Sequence, residues 1–312
     1  MPVADEVGYL QRGPAPECRL FQKIAEQGHY AGRTQPTNTR QGTYAAAPSG
    51  ALLGSANTND PDQMAEMLQS ALAKWKTLSQ AERFLSDKPS RDSTKNQRWE
   101  ESYPKDGLVL RVNARDLPRE NLPNDWRAEA WNQDYAWFRK EEALMFLPTT
   151  LSTGTKRIVP EDLIHRIARC HLVDNVRGQT SVFPDKCIEK ARLTAEVLEV
   201  KGDVAMLRYE GEARAFQEGD WPVGGYSDMH NPVKQMRSIE AKFLGHATYD
   251  SRQQRFISFE MMAIGARRGG TQYNCRGDDL AAAGMGIAFT LAHDEPSEHV
   301  APASIWEYGW KW

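Results

Sequence analysis

From Arg192 onward, apolar residues recur at every second position rather than every third or fourth. Arg192–Val200 and Val204–Tyr209 alternate, Ser238–Tyr249 continues the pattern, and Arg255–Ile264 and Gly284–Ala292 follow it. Successive side chains of a strand point to opposite faces, so this period demands strands with one buried face. Lys201-Gly-Asp and Asp250-Ser-Arg-Gln are turn-forming interruptions, which predicts an antiparallel sheet, curved or closed into a partial barrel, over 191–312.

Upstream the period changes. Leu108–Val112 reads as a strand after a polar stretch, 87–106, that has the composition of a linker. The spacing then predicts a helix over about 125–147. Trp126, Ala130, Trp137 and Leu144 share one stripe of it, and Trp131, Tyr135, Phe138 and Met145 the next. A second helix is expected from Pro160 to Arg177, with Gly178 as its stop. The fold class expected is therefore α+β: a mixed helical front (1–86 and 107–190) followed by an antiparallel β domain (191–312).

The first zone is built from short pieces. Glu17–Gln27 reads as a helix stopped by Gly28. Gly42–Ala47 and Ala51–Ala56 read as a hairpin about Pro48-Ser-Gly50. Asp60, Pro61 and Gln63 open a helix with Met64, Met67, Leu68, Ala71, Leu72, Trp75 and Leu78 on one stripe, and Ser79–Glu82 carries a capping box. This strand–turn–strand–helix order over residues 17–78 resembles the second half of a thioredoxin-like fold. The resemblance implies a shape and not redox catalysis, because the dithiol that such catalysis needs is missing.

Composition narrows the function classes. The 312 residues carry a formal charge of −3, unlike the basic footprint of a dedicated nucleic-acid binder. No run approaches the ~18 apolar residues of a membrane helix, and the first residues lack the apolar core of a signal peptide. The expectation is a soluble protein, either cytoplasmic or exported with its signal already removed. Four scattered cysteines without CxxC read as free, mostly buried thiols; Cys170 and Cys187 are the easiest pair to bridge in an oxidising compartment. Nucleotide-loop, zincin and serine-esterase signatures are missing.

Chemistry concentrates in the middle zone. His171 and Asp174 stand one helical turn apart, a spacing at which a carboxylate can orient an imidazole and leave its other nitrogen as a base or metal ligand. The same pair also fits a core histidine satisfied by its neighbour. Asp134 and Glu141 fall on the tryptophan stripe as additional acids, or as ion-pair partners of Arg166, Arg169 or Arg177. Gly265-Ala-Arg-Arg-Gly-Gly270 has the glycines and guanidinium forks of an anion-holding turn. Arg276-Gly-Asp278 is discounted as a chance tripeptide. Trp306, Trp310 and Trp312 either dock on the domain or present a platform.

Two readings follow. In the first, a hydrolytic or metal-assisted enzyme has its pocket between the middle helices and the β domain. His171 is base or ligand, Asp174 its orienter and co-ligand for a divalent transition metal, Arg177 an anion clamp, and Asp134 or Glu141 a further acid. In the second, a non-catalytic module binds a glycan or protein on the β domain, with the thioredoxin-like piece as a redox-dead scaffold. A small molecule or glycan is the expected partner, nucleic acid is not, and the oligomeric state is left open.

Overall fold

All of the alternating segments become strands of one sheet, and four of the five run further than their apolar pattern. In the computed structural model, which describes residues 7–30, 40–58, 60–84, 102–120, 122, 124–223 and 233–310, the chain divides into two compact units, 1–96 and 97–312. The first part of the expected linker, up to residue 101, lies outside the described residues, as does most of the polar stretch 33–40.

The N-terminal unit carries α1 (Val7–Arg12), α2 (Pro16–Ala25), the antiparallel hairpin β1 (Thr43–Ala46) and β2 (Leu52–Ala56), α3 (Pro61–Thr77) and α4 (Gln80–Arg83). Local chemistry sets each boundary. Asp60 accepts from the Asp62 and Gln63 amides at the start of α3, and Ser79 and Glu82 complete a reciprocal capping box on α4. Gly50 takes a positive φ of 83° to close the hairpin turn. Met67 and Ala71 of α3 pack against Gly54 of β2.

The C-terminal unit is an eight-stranded antiparallel sheet. Its strands are β3 (Leu108–Asp116), β4 (Trp131–Phe138), β5 (Lys156–Ile158), β6 (Ile188–Lys201), β7 (Val204–Trp221), β8 (Val233–Asp250), β9 (Arg255–Gly269) and β10 (Ala283–Leu291). They lie in the order β4-β3-β10-β9-β8-β7-β6-β5. Thus the middle zone is not a separate helical body: it supplies both edges of the sheet. Two short helices accompany it, α5 (Lys140–Leu144) and α6 (Glu161–Cys170), and α6 lays Leu163, Ile164 and Ile167 into the core.

The inward residues of β3, β4 and β6–β10 join α6 in one continuous hydrophobic core. Small residues on β8 let its neighbours close over it. Tyr209 of β7 and Phe259 of β9 approach to 5.2 Å between ring centroids, whereas two flat inter-strand spacings would be about 9.6 Å. Ala247 is paired with both Leu207 and Phe259, and Gly245 with both Tyr209 and Met261, so no bulky side chain stands between the rings. Gly211 and Gly265 permit still closer backbone approach, since a Cβ at Gly265 would lie 1.8 Å from the Glu240 carbonyl oxygen.

Two expectations are corrected here. The helix expected over 125–147 is instead β4 followed by α5. Trp131, Gln133, Tyr135 and Trp137 face one side and Asn132, Asp134, Ala136 and Phe138 the other. The last four residues of β4 are buried on both faces, which produces a continuous apolar run with no period of its own. The helix expected through Arg177 ends at Cys170, because His171 leaves the helical region (φ −120°, ψ −19°). Beyond it, Asn175 spends its side-chain oxygen on the Thr180 amide, a local bond that competes with helix.

Gly265→Ala is expected to destabilise the C-terminal unit by about 1–3 kcal/mol, because the added methyl has to push the β8 backbone away. Urea unfolding followed by circular dichroism measures this as a lowered midpoint.

Candidate functional site

His171 is held on both sides. Its Nδ1 lies 3.2 Å from Asp134 Oδ2 and its Nε2 2.6 Å from the Tyr308 hydroxyl, and the residue is only 4% exposed. Asp134 reaches it because β4 places that side chain inward, and its other oxygen accepts the Ala303 amide at 2.8 Å. Tyr308 comes from the segment that folds back over the edge strand. Its hydroxyl is also 3.4 Å from the Trp137 amide, so it meets a backbone donor that the sheet edge leaves unpaired. Ile305, Tyr308 and Trp310 bury Val109, Tyr135 and Trp137 beneath them. Trp306 is 57% exposed and Trp312 lies outside the described residues. The Arg166 guanidinium stacks over Phe138 and Tyr308 and pairs with Glu142.

An Asp–His–Tyr chain has the outline of an orienter, a base and a nucleophile. Burial raises the Tyr308 hydroxyl well above its ordinary range, which holds it in the protonated form. Cys170 behaves alike, its thiol pushed up to about 12 by burial.

A second polar cluster ties together the end of β3, the segment after α6, the end of β9 and the β9–β10 loop. Arg276 is fully buried. It gives two bonds of 2.8 Å to Asp116 and two of 2.8 Å to Asp174. Arg177 donates to Asp116 at 2.7 Å, and Arg267, Arg119 and Arg177 converge on Asp279. Burial alone would raise the Asp116 carboxyl, but its hydrogen bonds from Arg276 and the charges of Arg276, Arg177 and Arg267 hold it below the usual range. For Arg276 the balance is reversed: burial would lower it, and the two carboxylates raise it.

The five residues singled out in the sequence are therefore distributed over three settings. Asp134 and His171 come together, with Asp134 rather than Asp174 as the orienting carboxylate. Asp174 belongs to the arginine cluster, because the helix that would have placed it one turn from His171 ends first. Arg177, the expected anion clamp, is a buried partner of Asp116 and Asp279. Glu141 is exposed on α5, and Glu142 beside it makes the ion pair with Arg166. The metal pair His171–Asp174 is replaced by these other bonds, and among the described residues no group of three or more His, Cys, Asp or Glu side chains could hold a metal ion. No disulfide joins Cys18, Cys170, Cys187 and Cys275. Asp116, Arg267, Arg276, Asp279 and Tyr308 carry the two clusters and were not flagged for these roles. The arginine pair of Gly265–Gly270 and the aromatic density of 306–312 were their only local signals.

The outer face of the sheet is chemically distinct. Trp131 is 62% exposed and paired in register with Arg115. In the next row, Asn113 Nδ2 reaches Gln133 Oε1 at 3.4 Å, and Gln133 Nε2 donates to the Tyr135 hydroxyl at 3.1 Å. Leu117 lies over Gly284 and Gly286 of β10, giving an apolar surface beside these groups. Leu244 and Met262, directly paired, and Ile264 continue it as exposed apolar residues.

No known protein family, no curated protein and no solved structure matches this chain.

Asp116→Asn leaves two buried guanidiniums short of a partner and is expected to cost about 3–5 kcal/mol. The pH dependence follows from the sign of the shift. A carboxyl lowered by folding contributes fully above its unfolded value near 3.8 and loses that contribution as pH falls through the lower folded value. Denaturant midpoints from pH 7 to pH 2 are expected to drop more steeply below pH 4 in the parent than in Asp116→Asn.

Proposed function

We propose that residues 97–312 form a non-catalytic binding module whose outer sheet face takes a glycan. The observation that carries this reading is Trp131, an exposed indole fixed by strand pairing beside the Asn113–Gln133 amides and Arg115. An indole presents a flat apolar surface to the C–H face of a sugar ring. Amide and guanidinium groups supply both donors and acceptors for its hydroxyls.

What weighs against the hydrolytic or metal-assisted reading is the engagement of His171. Its two nitrogens serve Asp134 and Tyr308, and the ring is sealed beneath the 305–310 segment. In the binding reading the N-terminal unit is a redox-inactive scaffold of thioredoxin-like type, since Cys18 is the only cysteine between residues 1 and 96. No helix among the described residues is long and apolar enough to cross a membrane.

A protein partner is the second reading, favoured by the Leu244–Met262–Ile264 strip, whose row neighbours include Lys242 and Glu210. Tryptophan-fluorescence titration with an oligosaccharide panel tests the first. At least one oligosaccharide is expected to saturate the signal, and Trp131→Ala to weaken its binding by about tenfold, the scale of one aromatic contact. Trp306→Ala, which removes an exposed indole of the unit's last segment, is expected to leave it unchanged. No saturation across the panel overturns the glycan reading.

A further inference from the structure

The arginine cluster contains more guanidinium than carboxylate. Among the described residues, Arg119, Arg177, Arg267 and Arg276 share Asp116, Asp174 and Asp279, four cations against three anions. A fifth arginine, Arg237, stands beside them on β8 and is 7% exposed. Its bonds go to Gln217 Oε1 at 2.8 Å, Thr180 Oγ1 at 2.8 Å, and the Ser181 and Val182 carbonyls at 2.7 and 2.9 Å. Each of these acceptors is neutral. The guanidinium lies over the Phe183 ring, and burial pulls it down to about 10.

Between Arg237 and Arg267 is a cavity of about 20 Å³, lined also by Thr180, Asn274 and Asp174, with exposed Arg268 beside it. Arg267 is 1% exposed, and among the described residues its Nε–H has no acceptor within hydrogen-bond distance, as is also true of Arg119 and Arg177 Nε. Asp174 Oδ2 is 3.9 Å away and already takes the Nε–H of Arg276 at 2.8 Å. A buried donor without an acceptor is costly, and a buried charge without a counter-charge more so. The volume suits one or two water-sized bodies. A halide ion is a body of about this size.

We propose that this cavity is a binding site for one small monovalent anion of halide type, held between the Arg267 Nε–H and the Arg237 guanidinium. The ion offsets the excess positive charge of the cluster and couples the end of β9 to β8 and to the 174–183 segment. The arginine pair in Gly265–Gly270 thus takes part in anion binding from a strand rather than a turn: Arg267 faces in and Arg268 faces out. The site is independent of the outer-face glycan reading, which involves none of these residues.

Thermal unfolding of the full chain at constant ionic strength tests this, with sodium gluconate replaced stepwise by sodium chloride or sodium bromide. The expected result is a melting temperature that rises and saturates with either halide, together with saturable broadening of the chloride NMR line by the protein. Arg237→Gln is expected to weaken the halide midpoint at least tenfold, and Arg214→Gln, at an exposed ion pair, to leave it unchanged. If Arg237→Gln fails to fold, the wild-type titration and the chloride line decide the matter. Equal melting in gluconate and halide, a linear non-saturating salt response, or an unbroadened chloride line means water alone occupies the cavity and overturns the proposal. A response to phosphate without one to halide overturns it equally.

Discussion

Arg276 has no contact with solvent, and its guanidinium is divided between Asp116 and Asp174. Removing such a charge from water is unfavourable by several kcal/mol, so the surrounding chain has to supply partners in fixed geometry. It does so from three segments that are remote in sequence: the end of β3, the stretch after α6 and the β9–β10 loop. Strand order depends on the same junction. β3 pairs with β10 although the two lie far apart in the chain, and Arg276 joins the loop entering β10 to the last residue of β3. The tripeptide Arg276-Gly-Asp278 is accordingly a structural junction, its arginine sealed and its aspartate bound to Arg127.

At the other end of β3 and β4 a different device closes the sheet. Tyr308 caps the edge strand and completes the bonding of His171, while Trp310 lies against Arg139 and Arg166. One imidazole thereby links α6, β4 and the 300–310 segment. That assignment accounts for the ionisable groups of the middle zone, since His171, Asp134 and Arg166 are each bonded to a neighbour. The outer face of the sheet exposes Trp131 instead.

Much of this architecture was legible in the residues, and the exceptions have physical causes. Strands β6–β10 declare themselves because one face meets the core and the other meets water. β4 does not, since Tyr135 and Trp137 are covered on the outside by Ile305, Tyr308 and Trp310, and alternation disappears when both faces are dry. The caps of α3 and α4 are local chemistry and were read residue by residue. The end of α6 was not. Gly178 looked like its stop, whereas tertiary bonds made by His171, Asp174 and Asn175 halt it a full two turns earlier. Asp134 and His171 could each be picked as polar residues on apolar faces. Their pairing with each other, and that of Arg276 with Asp116, spans a separation no local period encodes. The Gly265–Gly270 arginines announced anion chemistry but not the strand that divides them between two faces.

The two polar clusters differ in completeness, and the difference is the core of this account. Around His171 each ring nitrogen has its partner; around Arg237 and Arg267, among the described residues, five guanidiniums meet three carboxylates, and the buried Nε–H groups of Arg119, Arg177 and Arg267 lack an acceptor. Anomalous scattering from crystals grown in bromide addresses this most directly. The account predicts a single buried anomalous peak within hydrogen-bond reach of Arg267 Nε and the Arg237 guanidinium. Bromide confined to the protein surface, with that cavity holding only water, would contradict it.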